Sequence, residues 1–288
     1  MMGRPLRAVI LTATALSLSP SARAEFSPPR PSPKGVVSQT IGTTDVTLTY
    51  SRPGVKGRPI WGTLVPYDKV WRTGANEPTS IVFADDVTVN GQKLAKGTYS
   101  LHTIPGKDEW TVIFNKFFPK GGYEYKAEDD VLKLKVKPEA GENVEWMTFS
   151  FPALTPTSAQ LVLAWEKLRL PLTIGVDVNA KVMASAREAM AGLKADDWQT
   201  PMRAGSYAAQ TPASSEEGLK WLDRSVSMNA NFSNLAAKAR ALAANGKTAD
   251  AVATGEKALA AARAAEKKPD AEAVANFEKE LAGWKAKK

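Results

Sequence analysis

The chain reads as a β-sandwich, antiparallel and all-β, followed by an all-α helical repeat-like domain, and three observations predict this. Short segments between Val36 and Val178 alternate apolar with polar residues and are rich in Val, Ile, Thr, Tyr, Phe and Trp, the residues that suit a pleated, half-buried surface. Turn formers separate those segments at short intervals, the pattern of a sandwich or open barrel. After Val178 the composition changes to alanine, leucine, lysine and glutamate at helical spacing.

The first residues predict a destination outside the cytoplasm. Arg4 and Arg7 precede an apolar run from Ala8 to Leu18, and Ala22-Arg23-Ala24 offers the small residues a signal peptidase reads. Residues 1–24 are therefore expected to be a cleavable signal peptide, giving a periplasmic or secreted protein that begins near Glu25. No segment approaches the roughly 20 apolar residues that a spanning helix needs, so no membrane span is expected. With no cysteine there are no disulfides, thiol nucleophiles or thiolate metal sites, and stability must come from packing. The net charge of +8 divides, once the three signal arginines are set aside, into about +1 for residues 25–178 and about +4 for residues 179–288. Neither half is basic enough for a nucleic-acid partner.

The predicted strands follow in order: VVSQTI, TDVTLTYS, TSIVF, DVTVN, TYSLHTI, EWTVIFN, VLKLKVK, VEWMTFSF, AQLVLAW and LRLPLTI, within a β-sandwich domain over 31–178. Asn90-Gly91 predicts a tight hairpin before QKL, because a type I′ turn needs positive φ at both central residues. Lys133, Lys135 and Lys137 alternate with Leu132, Leu134 and Val136, a pattern that protects an edge strand from pairing. Within the helical domain over 179–288, helices are expected in AKVMASAREAMAGLK, SSEEGLKWLDRSVSM, NLAAKARALAANG and from Thr248 to Glu266. Ser214 or Ser215 can cap one, Gly246 can end another, and Pro269-Asp270 separates the last pair. Small Ala239, Gly246, Ala251 and Ala258 fall where a tetratricopeptide-like repeat packs its two helices closely, and EEGLKWLDRSVSMNA resembles the second helix of an earlier repeat. An alanine-rich bundle is the plainer alternative.

One stretch, Tyr50 to Thr79, breaks the alternation around it. It gathers Arg52, Lys56, Arg58, Lys69 and Arg72 with four prolines and four glycines, and such departures concentrate where a site or a strained turn is built. Guanidinium groups offer planar paired donors to a carboxylate, phosphate or sulfate. Trp61 and Trp71 can supply a wall for a sugar or a cation. In RTGANEPT, Arg72, Asn76 and Glu77 place a donor, an amide and an acceptor in one constrained turn. The opposing reading has these arginines pairing with Asp68, Glu77 and Glu166 to pin a crossover loop, with both tryptophans in the core and Asn76 capping its own backbone.

The tracts YSRP, KGR, LVPYDKVWRTGANEPT, VNGQKLAKGTYSLHTIPG, EWTVIFN and AWEKL together resemble the bacterial exported family called domain of unknown function 2911. The resemblance covers most of Pro31 to Val178. It implies an exported β-domain, to which a helical tail such as this one can be joined, and it supplies no catalytic residues.

Candidate chemistry elsewhere is sparse. His102 is the only histidine, so multi-histidine metal sites are excluded; it shares a strand face with Thr98 and Ser100, a spacing unfavourable for a Ser–His contact. A glycosidase needs two carboxylates roughly 5 to 9 Å apart, which Glu77 with Glu166 or Asp45 would have to supply. Asp85-Asp86 and Glu128-Asp129-Asp130 lack the spacing of a calcium loop and read as turns. No Walker, dinucleotide or nucleophile-elbow motif occurs, and no cofactor or metal is expected. The expected function is binding of a polar or anionic small molecule or glycan by Arg52, Arg58, Trp71, Arg72, Asn76 and Glu77. The alternatives are a carbohydrate- or envelope-directed hydrolase using Glu77 or Glu166 with His102 nearby, and a scaffold whose helical domain binds a protein partner.

Overall fold

Alternation decides which side of each strand enters the core, and the computed structural model, which describes residues 28–118 and 124–286, places those sides against each other in two antiparallel sheets. The expected signal segment lies outside the described residues. One sheet has six strands: β1 (Lys34–Ile41), β2 (Thr44–Ser51), β3 (Thr79–Phe83), β6 (Gly97–Ile104), β7 (Trp110–Asn115) and β8 (Asp130–Val136), hydrogen-bonded in that order. The other has four, in the order β5 (Gln92–Leu94), β4 (Val87–Val89), β10 (Ser158–Val176) and β9 (Glu139–Leu154). Val46, Leu48, Ile81, Phe83, Tyr99, Leu101, Trp110, Val112 and Phe114 meet Met147, Phe149, Leu163, Trp165, Leu172 and Ile174 between the sheets. Each such side chain contributes about 1.5–3 kcal/mol on burial.

The hairpin between β4 and β5 turns on Asn90 (φ 47°) and Gly91 (φ 81°), with Val89 opposite Gln92. Lysine-bearing β8 is an edge strand of the six-stranded sheet. Two expected strands, AQLVLAW and LRLPLTI, are one strand of 19 residues. Between them the pairing with β9 shifts register at Glu166, whose φ of 54° marks a bulge where a break was read.

One strand is covered on both sides. On β7, Trp110, Val112 and Phe114 face the sandwich interior, while Ile113 and Asn115 on the opposite face are also fully buried. What covers that outer face includes Tyr125 and the chain just after β7, joined to it through Asn115, Phe117 and Lys126.

Six helices follow: α1 (Val178–Ala191), α2 (Gln199–Ala208), α3 (Ser215–Met228), α4 (Phe232–Ala244), α5 (Thr248–Ala264) and α6 (Ala271–Lys285). α2 packs on α3 and α4 on α5, and the second pair repeats the first at an offset of 33 residues, 199 to 232 and 215 to 248. Asp177 caps α1, Asp270 caps α6, and Asn231 and Asn234 form a capping box on α4. Neither serine at 214–215 caps α3 as expected. Ser214 Oγ donates instead to the Ala208 carbonyl at 2.8 Å, tying α3 back to the end of α2. The domains join where β10 runs into α1: Val178 lies against Gly42, and Lys181 Nζ donates to the Asp85 carboxylate and the Thr43 carbonyl.

Candidate functional site

Between β2 and β3 the chain leaves the sheet for 27 residues, 52–78, and is laced down at both ends. At its start, Val55 N–H donates to the Glu145 carbonyl and Met147 N–H to the Pro53 carbonyl, fixing it to β9. Near its end, Trp71 and Thr103 exchange backbone hydrogen bonds of 2.7 and 2.8 Å, so residues 70–72 run beside the end of β6. Four residues other than glycine take positive φ here: Lys56, Asp68, Thr73 and Asn76. Thr73, at φ 54°, is the costly one, because a β-branched side chain fits the left-handed region poorly. Its hydroxyl donates to Thr103 Oγ1 at 3.1 Å, and its carbonyl accepts from Thr79 Oγ1 at 2.6 Å, which hold that conformation in place.

This arrangement brings Trp71 and Arg72 to His102. The three line a cavity of about 140 Å³ together with Val70, Pro78 and Tyr125, with exposed Glu124 also on its wall. Behind it Trp71 stacks on Trp165 (ring centroids 5.9 Å apart, 22° between planes) and meets Trp61 and Trp110 edge to face, so one tryptophan serves both core and cavity. Its indole N–H donates to the Gly74 carbonyl at 3.0 Å. Pro78 also lines an adjoining groove of about 830 Å³ over the outer face of the six-stranded sheet, along with Arg30, Lys34, Thr49, Glu77, Ser80, Thr98 and Phe118.

The other residues expected at the site lie elsewhere. Arg52 donates to the Met147 carbonyl (3.0 Å) and Thr148 Oγ1 (2.6 Å), joining β2 to β9. Arg58 closes its own turn on the carbonyls of Val55 and Gly54. Asn76 Nδ2 donates to the Ser32 carbonyl and Ser51 Oγ, both at 3.1 Å. Glu77 borders the groove and is paired with Arg30 at 2.6 Å, whose hydrogen bond holds its carboxyl below the ordinary value. Glu166 sits at the β9–β10 bulge with its carboxylate on the Lys167 N–H, and lines neither space.

His102 is only 3% exposed, and its ring is one of two groups on the cavity, with Tyr125, that depart far from ordinary values, the tyrosine raised by burial and by its hydrogen bond to Asp130. Burial, opposed only in part by the Asp130 carboxylate, lowers its pKa to about 4, so the imidazole is neutral at physiological pH. Nε2 lies 3.2 Å from Ser100 Oγ, although the two residues are separated by one position on the same strand face. The spacing is unfavourable for that contact; a histidine leaning along the strand closes it. Ser100 is no nucleophile here, being fully buried with its hydroxyl donated to the Phe117 carbonyl at 2.8 Å. Nδ1 has no hydrogen-bond partner among the described residues. The ring lies 5.1 Å from that of Tyr125, whose hydroxyl donates to Asp130 Oδ2. Burial pulls the Asp130 carboxyl upward, but hydrogen bonds from Lys133, Tyr125 and Asn115 outweigh it and leave the group below its ordinary value.

The family described as protein of unknown function (DUF2911) matches residues 32–174. The β-domain belongs to it. No curated protein and no solved structure matches the chain. Every residue lining the small cavity lies within the matched stretch, so this site is part of the DUF2911 domain and owes nothing to the helices.

Sequence reading missed Tyr125 and underrated His102, because the alternation on β6 puts Ser100 and His102 on the outer face, which is ordinarily wet. A signal was present in EWTVIFN, where the unbroken apolar run Val112-Ile113-Phe114 implies that both faces of β7 are covered. A second layer over the outer face of this DUF2911 sheet follows from that run.

Proposed function

We propose that the DUF2911 domain is a binding domain for a small polar anion, taken up in the cavity walled by Trp71, Arg72 and His102. The observation that carries this reading is the meeting, on one cavity, of a guanidinium with a buried imidazole whose Nδ1 has no partner among the described residues. Strain at Thr73, next to Arg72, supports it, since costly backbone persists where the surroundings enforce it and gathers at ligand clamps. Trp71 is the apolar wall, and Glu77 belongs to the adjoining groove rather than to the anion's first contacts. Export of the protein rests on the N-terminal segment alone, and a tetratricopeptide-like protein-binding role for the helical domain rests on its repeated helix pairs.

Thermal-shift titration of the full chain with acetate, lactate, phosphate, sulfate and glucuronate tests the reading. At least one of these anions is expected to raise the melting temperature saturably, and Arg72→Ala to weaken it about 10- to 100-fold, the worth of a charged hydrogen bond of roughly 1.5–3 kcal/mol. Stabilisation by none of them, or an equal effect on the Arg72→Ala protein, would overturn it.

A further inference from the structure

Resting on that reading, we infer that the ligand is a small hydroxy acid, its carboxylate held at Arg72 and its hydroxyl donating to Nδ1 of His102. The position of one proton decides the tautomer of His102. Ser100 Oγ lies 2.8 Å from the Phe117 carbonyl and 3.3 Å from that of Asn115, and a carbonyl can only accept. The serine proton is therefore committed to the backbone, and the 3.2 Å contact with His102 must run from Nε2–H to Ser100 Oγ. In a neutral ring with its proton on Nε2, Nδ1 is a bare lone pair.

That lone pair selects among anions. A carboxylate, sulfate or fully ionised phosphate offers only acceptor oxygens and would leave Nδ1 as unmet as it is now, whereas a hydroxyl on the same ligand answers it. An ammonium group would also donate, and exposed Glu124 stands on the wall with the opposite charge, but water screens that pair, and Asp130, a buried carboxylate near His102, already accepts from Tyr125, Asn115 and Lys133. Size points to a short acid, because a cavity of about 150 Å³ accommodates benzene, and this one, at about 140 Å³, admits a molecule of some six heavy atoms such as lactate or glycerate. His102 lines the cavity while Nδ1 itself is buried, so the ring must tilt to bring Nδ1 to the hydroxyl. The second side-chain torsion of histidine is broad, and a modest tilt costs little.

The single histidine makes the test direct, since the full chain labelled with ¹⁵N-histidine gives one pair of ring-nitrogen signals. In the free protein Nε2 should carry the proton and Nδ1 should resonate as an unprotonated nitrogen. Lactate or glycerate should move the Nδ1 signal saturably in the direction of hydrogen bonding, with the proton remaining on Nε2, and should bind at least tenfold more tightly than propionate. Propionate should leave Nδ1 in place, and Arg72→Ala should weaken both acids. A proton on Nδ1 in the free protein, equal affinity for lactate and propionate, or preference for alanine over lactate would overturn the inference while leaving the anion site standing. If none of these acids binds, the inference falls, and the anion site falls with it only if phosphate and sulfate also leave the melting temperature unmoved.

Discussion

Burial holds the His102 imidazole at a pKa of about 4 while the unfolded chain titrates near 6.5, and this difference has a sign that can be checked. Above pH 6.5 both states are neutral at this position and the histidine has no effect on the pH dependence. As pH falls toward 4 the unfolded state takes up a proton that the folded state refuses, so stability is lost progressively, by about 2 kcal/mol at pH 5. The paired carboxylates Glu77, Asp85 and Asp130, all lowered in the folded protein, exert their effect below their ordinary values of 4.5 and 3.8, so the window from pH 7 to 5 isolates the lone histidine. Urea midpoints at pH 7 and 5 should therefore separate in the native protein and converge in His102→Gln, whose amide can still donate to Ser100; an unchanged separation in the variant would show that another group is responsible. At this scale the sequence was informative about residue types and poor about their directions. Arg52, Arg58 and Arg72 look alike in a glycine-punctuated loop. Yet two of them are turned to the carbonyls of Met147, Val55 and Gly54, and only the third reaches the cavity. For Arg52 that choice depends on β9, 95 residues away in the chain, which no local pattern records, whereas Arg58 closes a turn with residues three and four before it.

Strands and helices with a clean period were legible, and the failures fall where two signals conflict. No helix is named over Gln199–Ala208 in the sequence reading, and Pro201 and Gly205 are poor helix formers, yet Pro201 sits in the first turn, where its missing N–H is no loss. Gly205 is explained by its neighbour. An added Cβ there would lie 2.7 Å from the Gly218 carbonyl oxygen, and one on Gly218 would lie 2.5 Å from the Ala209 nitrogen, so α2 and α3 touch backbone to backbone. At the same 33-residue offset Gly218 corresponds to fully buried Ala251 in α5, whereas Gly205 corresponds to Lys238 in α4, so the small-residue pattern of the second pair is only partly shared by the first. Gly218→Ala gains up to about 1 kcal/mol of helix propensity but forces the helices apart, and overpacking of this kind costs about 1–3 kcal/mol. The variant should unfold at lower urea concentration, with the loss confined to the helical circular-dichroism signal; a neutral or stabilising result would mean that the close α2–α3 approach is absent in solution.

Two separate cores determine how the whole molecule should melt. Among the described residues the buried sandwich core runs from Ile41 to Ile174, with Val37 and Val176 packed against it, whereas the helical clusters draw on residues from Met202 to Trp284. What joins them is the β10–α1 junction, the Val178 contact with Gly42, and the Lys181–Asp85 pair, in which the lysine hydrogen bond keeps the carboxyl low. Both members of that pair are partly exposed, and such pairs contribute at most about 1 kcal/mol, too little to make two domains unfold as one. Calorimetry should accordingly show two transitions, or a calorimetric enthalpy well above the van't Hoff value. Far-ultraviolet dichroism assigns one transition to the helices, and the other belongs to the DUF2911 domain. Because the proposed site lies wholly in the β-domain, a hydroxy acid at a hundred times its dissociation constant should stabilise that transition by about 2.7 kcal/mol and leave the helical one where it was. Lys181→Ala should bring neither transition down by more than about 1 kcal/mol. A single transition with equal enthalpies, shifted as a unit by the ligand, would instead mean that the junction transmits far more than its visible contacts account for, and that the helices sense occupancy of the cavity.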